Sequence, residues 1–249
     1  MSDPSQENVY LLEWSVDPAA TLRLACVRFA PAAIDAGRFR SAGIECPAQI
    51  ASAVPKRQAE FFHGRLCAQA AMRLLRQDAP QVGIGRMREP LWPADLIGSI
   101  THAADMAAAL VLPASLGYDG VGIDIETVLS DKGAGEVRAV VASEGESRYL
   151  AAFDDALGPN VPLTLLFSAK ESFFKAVHGA VLRYFNFDAL ALERIDLSAL
   201  SMHFRVCEDL GPGLRPGARC VVHFRLLDAT HAATHVATLC LWKRDVDNA

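Results

Sequence analysis

The sequence lacks the features that would place it in a membrane, zinc-binding or nucleic-acid-binding class. It contains no apolar run of about 18 residues, so no membrane span is expected. Its six cysteines form no C-x-x-C pair, which argues against a zinc site and favours buried thiols in a reducing cytoplasm. The formal net charge is -5 at pH 7, whereas general nucleic-acid binding usually needs a basic domain. The composition therefore predicts a cytoplasmic globular protein without a nucleic-acid or membrane partner.

Two motifs are also missing. No G-x-x-x-x-G-K-[ST] loop occurs, and GIGRMREP at 83–90 does not supply one, so a P-loop phosphotransferase is disfavoured. The opening segment MSDPSQENVY has no basic n-region and no apolar h-region, so no signal peptide is expected. What is present is a chain of 249 residues that is 51% hydrophobic, which suffices for one large domain or two small ones.

The order of predicted elements favours two related α+β lobes, because each half has a long helix followed by strand-like runs. The first half has strands around VYLLEW and LRLACVRF, a helix from Val54 that Ala79 and Pro80 would end, and the strand pair LIGSITH and MAAALVLP. The second half has VGIDIE, a polar helical stretch at 130–160, the helix LFSAKESFFKAVHGAV and four further strand-like runs. The boundary is placed at 118/119, giving lobes 1–118 and 119–249.

The strand VGIDIE alternates apolar side chains with Asp124 and Glu126. Alternation puts these two carboxylates on one face, about 7 Å apart at about 3.4 Å per residue. Paired carboxylate oxygens suit a hard cation such as Mg²⁺. A solvated strand face is the simpler interpretation of an isolated D-x-E pattern, and both interpretations stay open. Gly120 and Gly122 favour the cation site because they leave space beside the carboxylates.

The helix FSAKESFFKA places further charged groups in a row. Ser168 and Glu171 fit the S-x-x-E capping box of a helix start, and Glu171 and Lys175 form an i,i+4 pair. Capping and surface pairing would explain both residues. The same arrangement, near the positive end of the helix dipole, would also suit a metal-bound pyrophosphate. The side chains predicted to face the core are Phe167, Phe174 and Val177.

The strand GSITH ends in Thr101 and His102, whose hydroxyl and imidazole could meet a phosphate. A histidine with a structural role is the alternative.

Together these segments resemble the Sfp-type 4′-phosphopantetheinyl transferases. VGIDIE matches G-[IV]-D-[IV]-E, and Lys170, 44 residues after Glu126, begins the KESFFK part of [FW]-S-x-K-E-[SA]-x-x-K. KRQAEFFHGRLCAQAA is similar to the first-lobe helix of the family. PLWPADLIGSITH resembles the branch typified by the enterobactin synthase phosphopantetheinyl transferase component. The resemblance covers most of the chain, while the first 50 residues and the C-terminal strands match loosely.

The resemblance implies an α+β fold of two similar lobes related by a pseudo-twofold axis, with coenzyme A bound in the cleft. It implies transfer of the 4′-phosphopantetheine arm of coenzyme A to a serine of an acyl or peptidyl carrier protein, with release of adenosine 3′,5′-bisphosphate. A monomer is expected, because a single chain contains the whole site. The carrier could belong to siderophore or other nonribosomal peptide synthesis, or to fatty acid synthesis.

The resemblance also implies site residues. Asp124, Glu126 and Glu171 would bind one Mg²⁺, and Lys175 would hold the phosphates. His102, with Ser99 and Thr101 nearby, would contact the pyrophosphate or the 3′-phosphate. Either Glu171 or a metal-bound water would be the general base. The residues expected to bind the 3′-phosphate and adenine end are Lys56, Arg57, Arg65, Arg86 and Arg88.

Two alternatives remain open at this point. The chain could bind coenzyme A or a nucleotide without any carrier partner, although Glu171 and Lys175 favour an enzyme. The polar stretch 130–160, with Lys132, Arg138 and Arg148, could be the carrier-docking surface or a solvated helical face.

Overall fold

The structure, a computed structural model, describes residues 8–17, 20–228 and 234–244. The absence of a signal peptide was predicted from residues 1–10, and residues 1–7 of that segment lie outside the described residues. The chain divides into two compact units, Met1–Leu116 and Gly117–Ala249, and both mix helices with a sheet. The α+β prediction is therefore confirmed, whereas the pseudo-twofold relation between lobes stays a prediction.

The N-terminal unit is an antiparallel sheet of order β1-β2-β6-β5 with one long helix packed across it. Its elements are β1 Tyr10–Asp17, β2 Ala20–Arg28, α1 Ala36–Ser41, α2 Ala48–Ala51, α3 Pro55–Arg73, β3 Gly83–Ile84, β4 Pro90–Leu91, β5 Leu96–His102 and β6 Met106–Pro113. Helix α3 packs on β2, β5 and β6, and Phe62 and Met72 of α3 are fully buried in the core beneath it.

Helix α3 begins as the sequence predicts, because Pro55 at its first position has the φ angle that a helix requires and needs no N–H partner there. It ends at Arg73, earlier than the predicted stop at Ala79 and Pro80. Leu74 and Leu75 are each 43% exposed. The apolar pattern of the sequence therefore extends beyond the last residue of α3.

The C-terminal unit is an antiparallel sheet of order β7-β11-β10-β9-β8. Its elements are β7 Gly120–Thr127, α4 Asp131–Val141, α5 Glu144–Ala151, α6 Asp154–Leu157, α7 Val161–Val181, β8 Leu190–Asp196, β9 Ser201–Val206, β10 Arg219–Leu227 and β11 His235–Trp242. Helix α7 packs against β7 and β11, and its Phe173 side chain is fully buried in the core of this unit.

The predicted start of α7 is wrong. The helix begins at Val161 with Pro162 in its first turn, so Ser168 and Glu171 lie in its middle and do not form a capping box. The S-x-x-E pattern that does cap a helix is at α5: Ser143 accepts from the Glu146 N–H, and the Glu146 carboxylate accepts from the Ser143 N–H.

No helix among the described residues is both long and apolar enough to cross a bilayer. All six cysteines are described, and each is a free thiol.

Candidate active site

Strand β7 and helix α7 approach each other closely because two glycines face the helix. A Cβ atom added to Gly122 would lie 1.8 Å from the Ser172 carbonyl oxygen, and one added to Gly120 would lie 1.8 Å from the Ala176 carbonyl oxygen. Side chains alternate along a strand, so Asp124 shares this helix-facing side of β7. Asp124 is only 4% exposed, which rules out a solvated strand face at this residue.

The close packing brings the side chain of Lys175 onto β7. Its ammonium donates to Asp124 Oδ1 at 2.7 Å and to the Ile123 carbonyl oxygen at 3.1 Å. Lys175 and Asp124 are 51 positions apart in the sequence, so only the fold brings them together. The ion pair partly neutralises a carboxylate that has lost most of its contact with water.

Glu171 lies one helical turn before Lys175 and shares its electrostatic environment. Burial raises the pKa of the Glu171 carboxyl above its usual value. The Lys175 ammonium opposes that rise, and the Asp124 carboxylate adds to it. A carboxyl group whose pKa is raised in this way accepts a proton more readily near neutral pH.

The residue types at this site suit Mg²⁺, but the described side chains do not surround a position for the ion on all sides. Among the residues that the structure describes, no three His, Cys, Asp or Glu side chains are grouped as a metal site. The assignment of Asp124, Glu126 and Glu171 to one ion therefore stays a prediction. Asp124 nevertheless raises the pKa of Glu171, so two negative charges are close enough to repel, and a divalent cation would relieve this repulsion. Mg²⁺ often takes only one or two carboxylates and completes its shell with water and phosphate.

An aromatic pocket of about 200 Å³ adjoins Glu171. Phe174, which was predicted to face the core, is half-buried on this pocket, and its ring stacks on Tyr184 with centroids 5.8 Å apart. Phe173 takes the core position instead. The pocket also contains the following residues: Lys170, Phe185, Asn186, Phe187 and Leu190.

Lys170, next to Glu171 in the signature, has a structural role that the sequence did not reveal. Its ammonium lies 3.1 Å from Glu146 Oε1 and donates to the Val141 carbonyl oxygen at 2.8 Å. Burial lowers the pKa of Lys170, and Glu146 opposes this change. The Glu146 carboxylate also accepts from the N–H of Leu192. One buried ion pair therefore links α7, the end of α4, the start of α5 and β8.

A second site lies within the N-terminal unit, in a pocket of about 310 Å³. Four of the residues predicted to bind coenzyme A line it: Arg57, Arg65, Arg88 and His102. The Arg57 guanidinium donates to Glu60 Oε2 at 3.3 Å and lies 3.2 Å from His102 Nε2. Glu60, which sequence reasoning missed, follows Arg57 by three positions on α3, a spacing that places both side chains on one helical face.

Arg65 is the most buried cation of this pocket. It is 8% exposed, donates to the Gly83 carbonyl oxygen at 3.2 Å, and lies over the Phe61 ring at 5.0 Å. Burial lowers its pKa to about 10, and the nearby Arg57 charge adds to that effect. Its buried Nε–H donates to no atom of the described residues. An anionic ligand in the pocket would balance the guanidinium charge.

Four other predicted residues do not belong to the described lining of this pocket: Lys56, Arg86, Ser99 and Thr101. Lys56 is exposed and lies 3.8 Å from Glu60 Oε1. Ser99 and Thr101 are 3% and 2% exposed, and strand alternation puts them on the face of β5 opposite His102.

Comparison with known proteins identifies two matching family models. Residues 46–112 match a model described as the 4′-phosphopantetheinyl transferase N-terminal domain. Residues 120–240 match one described as the 4′-phosphopantetheinyl transferase superfamily. The second match includes β8 to β10 and most of β11, so the C-terminal strands fit the family better than the sequence motifs indicated.

Curated relatives give the same result. The chain is 37% identical over 155 residues to enterobactin synthase component D of Salmonella austin, covering 62% of each chain. It is 39% identical over 129 residues to the protein of that name from Escherichia coli K12, covering 52% of this chain and 59% of the relative. It is 38% identical over 130 residues to 4′-phosphopantetheinyl transferase Svp of Streptomyces mobaraensis, covering 52% and 51%. The matches thus span about half to three fifths of these relatives.

Proposed function

Since the chain belongs to the 4′-phosphopantetheinyl transferase superfamily, we propose that it transfers the phosphopantetheine arm of coenzyme A to a serine of a carrier protein. The observation that best supports this function is the group formed by Asp124, Lys175 and Glu171, where a phosphate-binding cation lies beside two carboxylates. In the reaction, the serine oxygen forms a bond to the β-phosphorus of coenzyme A. The pyrophosphate P–O bond breaks, and adenosine 3′,5′-bisphosphate leaves.

In the C-terminal unit, Glu171 would accept the serine proton: burial raises the pKa of its carboxyl, and a cation held by the same carboxyl would oppose that rise. Lys175 holds phosphate oxygens as a point charge. Asp124, Glu171 and Glu126 would hold Mg²⁺, which stabilises the charge that develops on the leaving phosphate. The aromatic pocket beside Glu171 suits the uncharged pantetheine arm better than a phosphate.

In the N-terminal unit, we assign the 3′-phosphate and adenine end of coenzyme A to the pocket that contains Arg57, Arg65 and Arg88. Guanidinium groups bind phosphate with paired hydrogen bonds. His102 contacts a phosphate from the end of β5, and Ser99 and Thr101 support that strand from its other face. Lys56 and Arg86 lie outside the lining, and their charges would add to the positive potential that attracts coenzyme A.

The carrier partner is proposed from the relatives. Two of those compared are named as enterobactin synthase components, so a peptidyl carrier of siderophore synthesis is the first choice and a fatty-acid carrier the second. We further propose a monomer that acts in the cytoplasm, a reducing compartment in which six free thiols persist. The docking surface is assigned to 130–160, where Arg148 is 77% exposed on its side chain.

The intact mass of an apo carrier protein tests this function. Incubation with the protein, coenzyme A and Mg²⁺ should add one phosphopantetheine arm, and EDTA should abolish the gain. Asp124→Asn and Glu171→Gln should each lower the rate at least about a hundredfold. Glu13→Gln, a change at a β1 carboxylate that is 64% exposed, is the matched control and should leave the rate unchanged. Full activity in both site variants would show that the carboxylates are wrongly assigned.

A coenzyme A-binding protein without transferase activity is the competing candidate, because the pocket of the N-terminal unit could by itself bind the nucleotide. Calorimetry separates the two. A binder would retain coenzyme A with every carrier offered and would never release adenosine 3′,5′-bisphosphate.

A further inference from the structure

Three buried hydroxyl groups meet where α7 crosses β11. Ser168 and Ser172 are one turn apart on α7, Thr238 is on β11, and all three are 0% exposed. Thr238 Oγ1 lies 2.8 Å from Ser168 Oγ and 2.6 Å from Ser172 Oγ. The sequence assigned Ser168 to a capping box that the structure does not form, and it gave Ser172 and Thr238 no role.

Two of these hydroxyls also connect the backbone of α7 to the backbone of β11. Thr238 Oγ1 donates to the Ser168 carbonyl oxygen at 2.9 Å, and Ser172 Oγ donates to the Thr238 carbonyl oxygen at 3.2 Å. Apolar contacts between a helix and a sheet tolerate small shifts, whereas hydrogen bonds lose strength steeply when distance or angle changes. These bonds therefore fix the position of α7 along β11 more tightly than packing alone.

The part of α7 that these hydrogen bonds hold in place is the part that carries the candidate active site. Thr238 is the register partner of Asp124 across the β11–β7 ladder. Ser172 is also the residue whose carbonyl oxygen faces Gly122, so α7 contacts β7 and β11 through the same turn. Lys175 follows one turn later and reaches Asp124 at 2.7 Å. A small shift of this turn would change the distances among Asp124, Glu171 and Lys175 together.

We propose that Thr238, with Ser168 and Ser172, is a positioning residue that sets the separation between the carboxylate of β7 and the charged side chains of α7. Its hydroxyl acts through the helix and does not contact substrate. The predicted effect on metal binding and transfer rests on the proposed function, whereas the hydrogen bonds among these three residues do not depend on it.

The test compares Thr238→Val with Thr238→Ser. Valine keeps the branched shape and removes the hydroxyl, whereas serine keeps the hydroxyl and removes a methyl group. The matched control is Thr164→Val on the same helix: Thr164 is 0% exposed, its hydroxyl donates to the Asn160 carbonyl oxygen at 2.7 Å, and it accepts from the Leu129 N–H at 3.2 Å. Each variant is assayed for transfer and for Mn²⁺ binding in the presence of coenzyme A, measured by loss of the free Mn²⁺ electron paramagnetic resonance signal.

Removal of a group that orients metal ligands typically lowers metal affinity or activity about 10- to 100-fold. Thr238→Val should show that loss in Mn²⁺ affinity and in kcat, with the KM for the carrier within about twofold of wild type. Thr238→Ser should recover most of both, and Thr164→Val should keep wild-type Mn²⁺ affinity despite a lower Tm.

Equal Mn²⁺ affinity in Thr238→Val and Thr164→Val would overturn the inference while leaving the proposed function intact. A loss in Thr238→Val that serine fails to recover would also overturn it, because shape rather than the hydroxyl would then be responsible. A wild-type protein that neither binds Mn²⁺ with coenzyme A nor modifies a carrier would instead refute the proposed function, and the inference with it.

Discussion

Lys175 and Asp124 illustrate how much of the site depends on single charged groups. Only 5% of the Asp124 side chain is exposed, compared with 27% for Lys175. Removing one partner of a buried ion pair costs about 3–5 kcal/mol, because the other charge stays desolvated. Since Lys175 is partly exposed, Lys175→Met should lower the free energy of unfolding by about 2–3 kcal/mol in metal-free buffer. Guanidinium denaturation measures the loss.

The Asp124→Asn variant and the double variant complete a thermodynamic cycle. A direct pair at 2.7 Å should give a coupling free energy of at least about 1 kcal/mol, so the double variant should be less destabilised than the two single losses added together. Simple additivity of the two losses would contradict the ion pair.

His63 should make stability depend on pH. It is 2% exposed, its Nδ1 lies 2.7 Å from the Ala59 carbonyl oxygen, and its ring stacks on Phe29 with centroids 4.3 Å apart. Burial lowers its pKa from 6.5 to about 4; the Ala59 contact opposes this shift and the Arg38 charge adds to it. Between these pH values the unfolded chain binds a proton that the folded chain does not. The contribution is therefore complete above pH 6.5 and is lost as pH falls towards 4.

His63→Phe should remove this dependence while keeping an aromatic ring. Between pH 7 and pH 5 the wild type should lose about 2 kcal/mol more free energy of unfolding than the variant, because only the wild type must exclude that proton. Urea denaturation at both pH values gives the comparison, and the carboxylates cancel between the two proteins. Parallel pH profiles would show that His63 is protonated without unfolding.

At the scale of elements, the contact between β7 and α7 depends on glycine. Gly122→Ala would push a methyl group against the Ser172 carbonyl oxygen, and backbone atoms cannot rotate away. Overpacking typically costs about 1–3 kcal/mol, and the expected loss lies at the upper end of that range. Transfer activity should fall with stability, since the helix bearing Glu171 and Lys175 would move.

Gly135 provides the control for the same chemical change. It lies within α4, and a Cβ atom there would have no neighbour within 4 Å among the described residues. Gly135→Ala should therefore raise the free energy of unfolding by about 0.5–1 kcal/mol, because alanine favours the helix. Thermal unfolding of both variants separates a steric effect from a backbone-entropy effect. Similar shifts for Gly122→Ala and Gly135→Ala would contradict the close approach of α7.

Strands were easier to predict from the sequence than the start of α7. LIGSITH and MAAALVLP became β5 and β6, since buried strands read as short apolar runs between turn residues. The segment before Ser168, VPLTLLF, is equally apolar but is helical, and its composition alone does not distinguish the two states. The S-x-x-E pattern at Ser168 then indicated a start that tertiary packing overrides, whereas the same pattern at Ser143 has polar residues after it and caps α5.

The site was predictable as a set of residue types but not as a set of contacts. Motif resemblance selected Asp124, Glu171 and Lys175, yet the ion pair between β7 and α7 follows only from the glycine-mediated packing. Thr238 was missed for a related reason, because its partner Ser168 lies on another element and no local pattern in the sequence links them. The i,i+3 spacing to Arg57 on α3 could have indicated Glu60, but its approach to His102 on β5 could not be read from the sequence.

At the scale of the whole molecule, the negative net charge opposes the binding of coenzyme A, which is itself an anion. The chain has a net charge of -5, which disfavours the approach of an anion such as coenzyme A, while the pocket of the N-terminal unit concentrates three guanidinium groups. Local attraction must therefore exceed the average repulsion. Coenzyme A affinity should fall about tenfold as salt rises from about 0.05 to 0.5 M, because salt screens the exposed part of this attraction.

Arg57→Gln tests whether the pocket is the source of that salt dependence. Loss of a charge-assisted hydrogen bond to phosphate should weaken coenzyme A binding by about tenfold at low salt and make the dependence on salt shallower. Arg148→Gln removes the same charge from a side chain that is 77% exposed on α5 and should retain the wild-type slope. Isothermal titration calorimetry at several salt concentrations gives both quantities. Equal slopes for wild type and both variants would place the phosphate-binding charge outside this pocket, because removing Arg57 would then have changed nothing that salt screens.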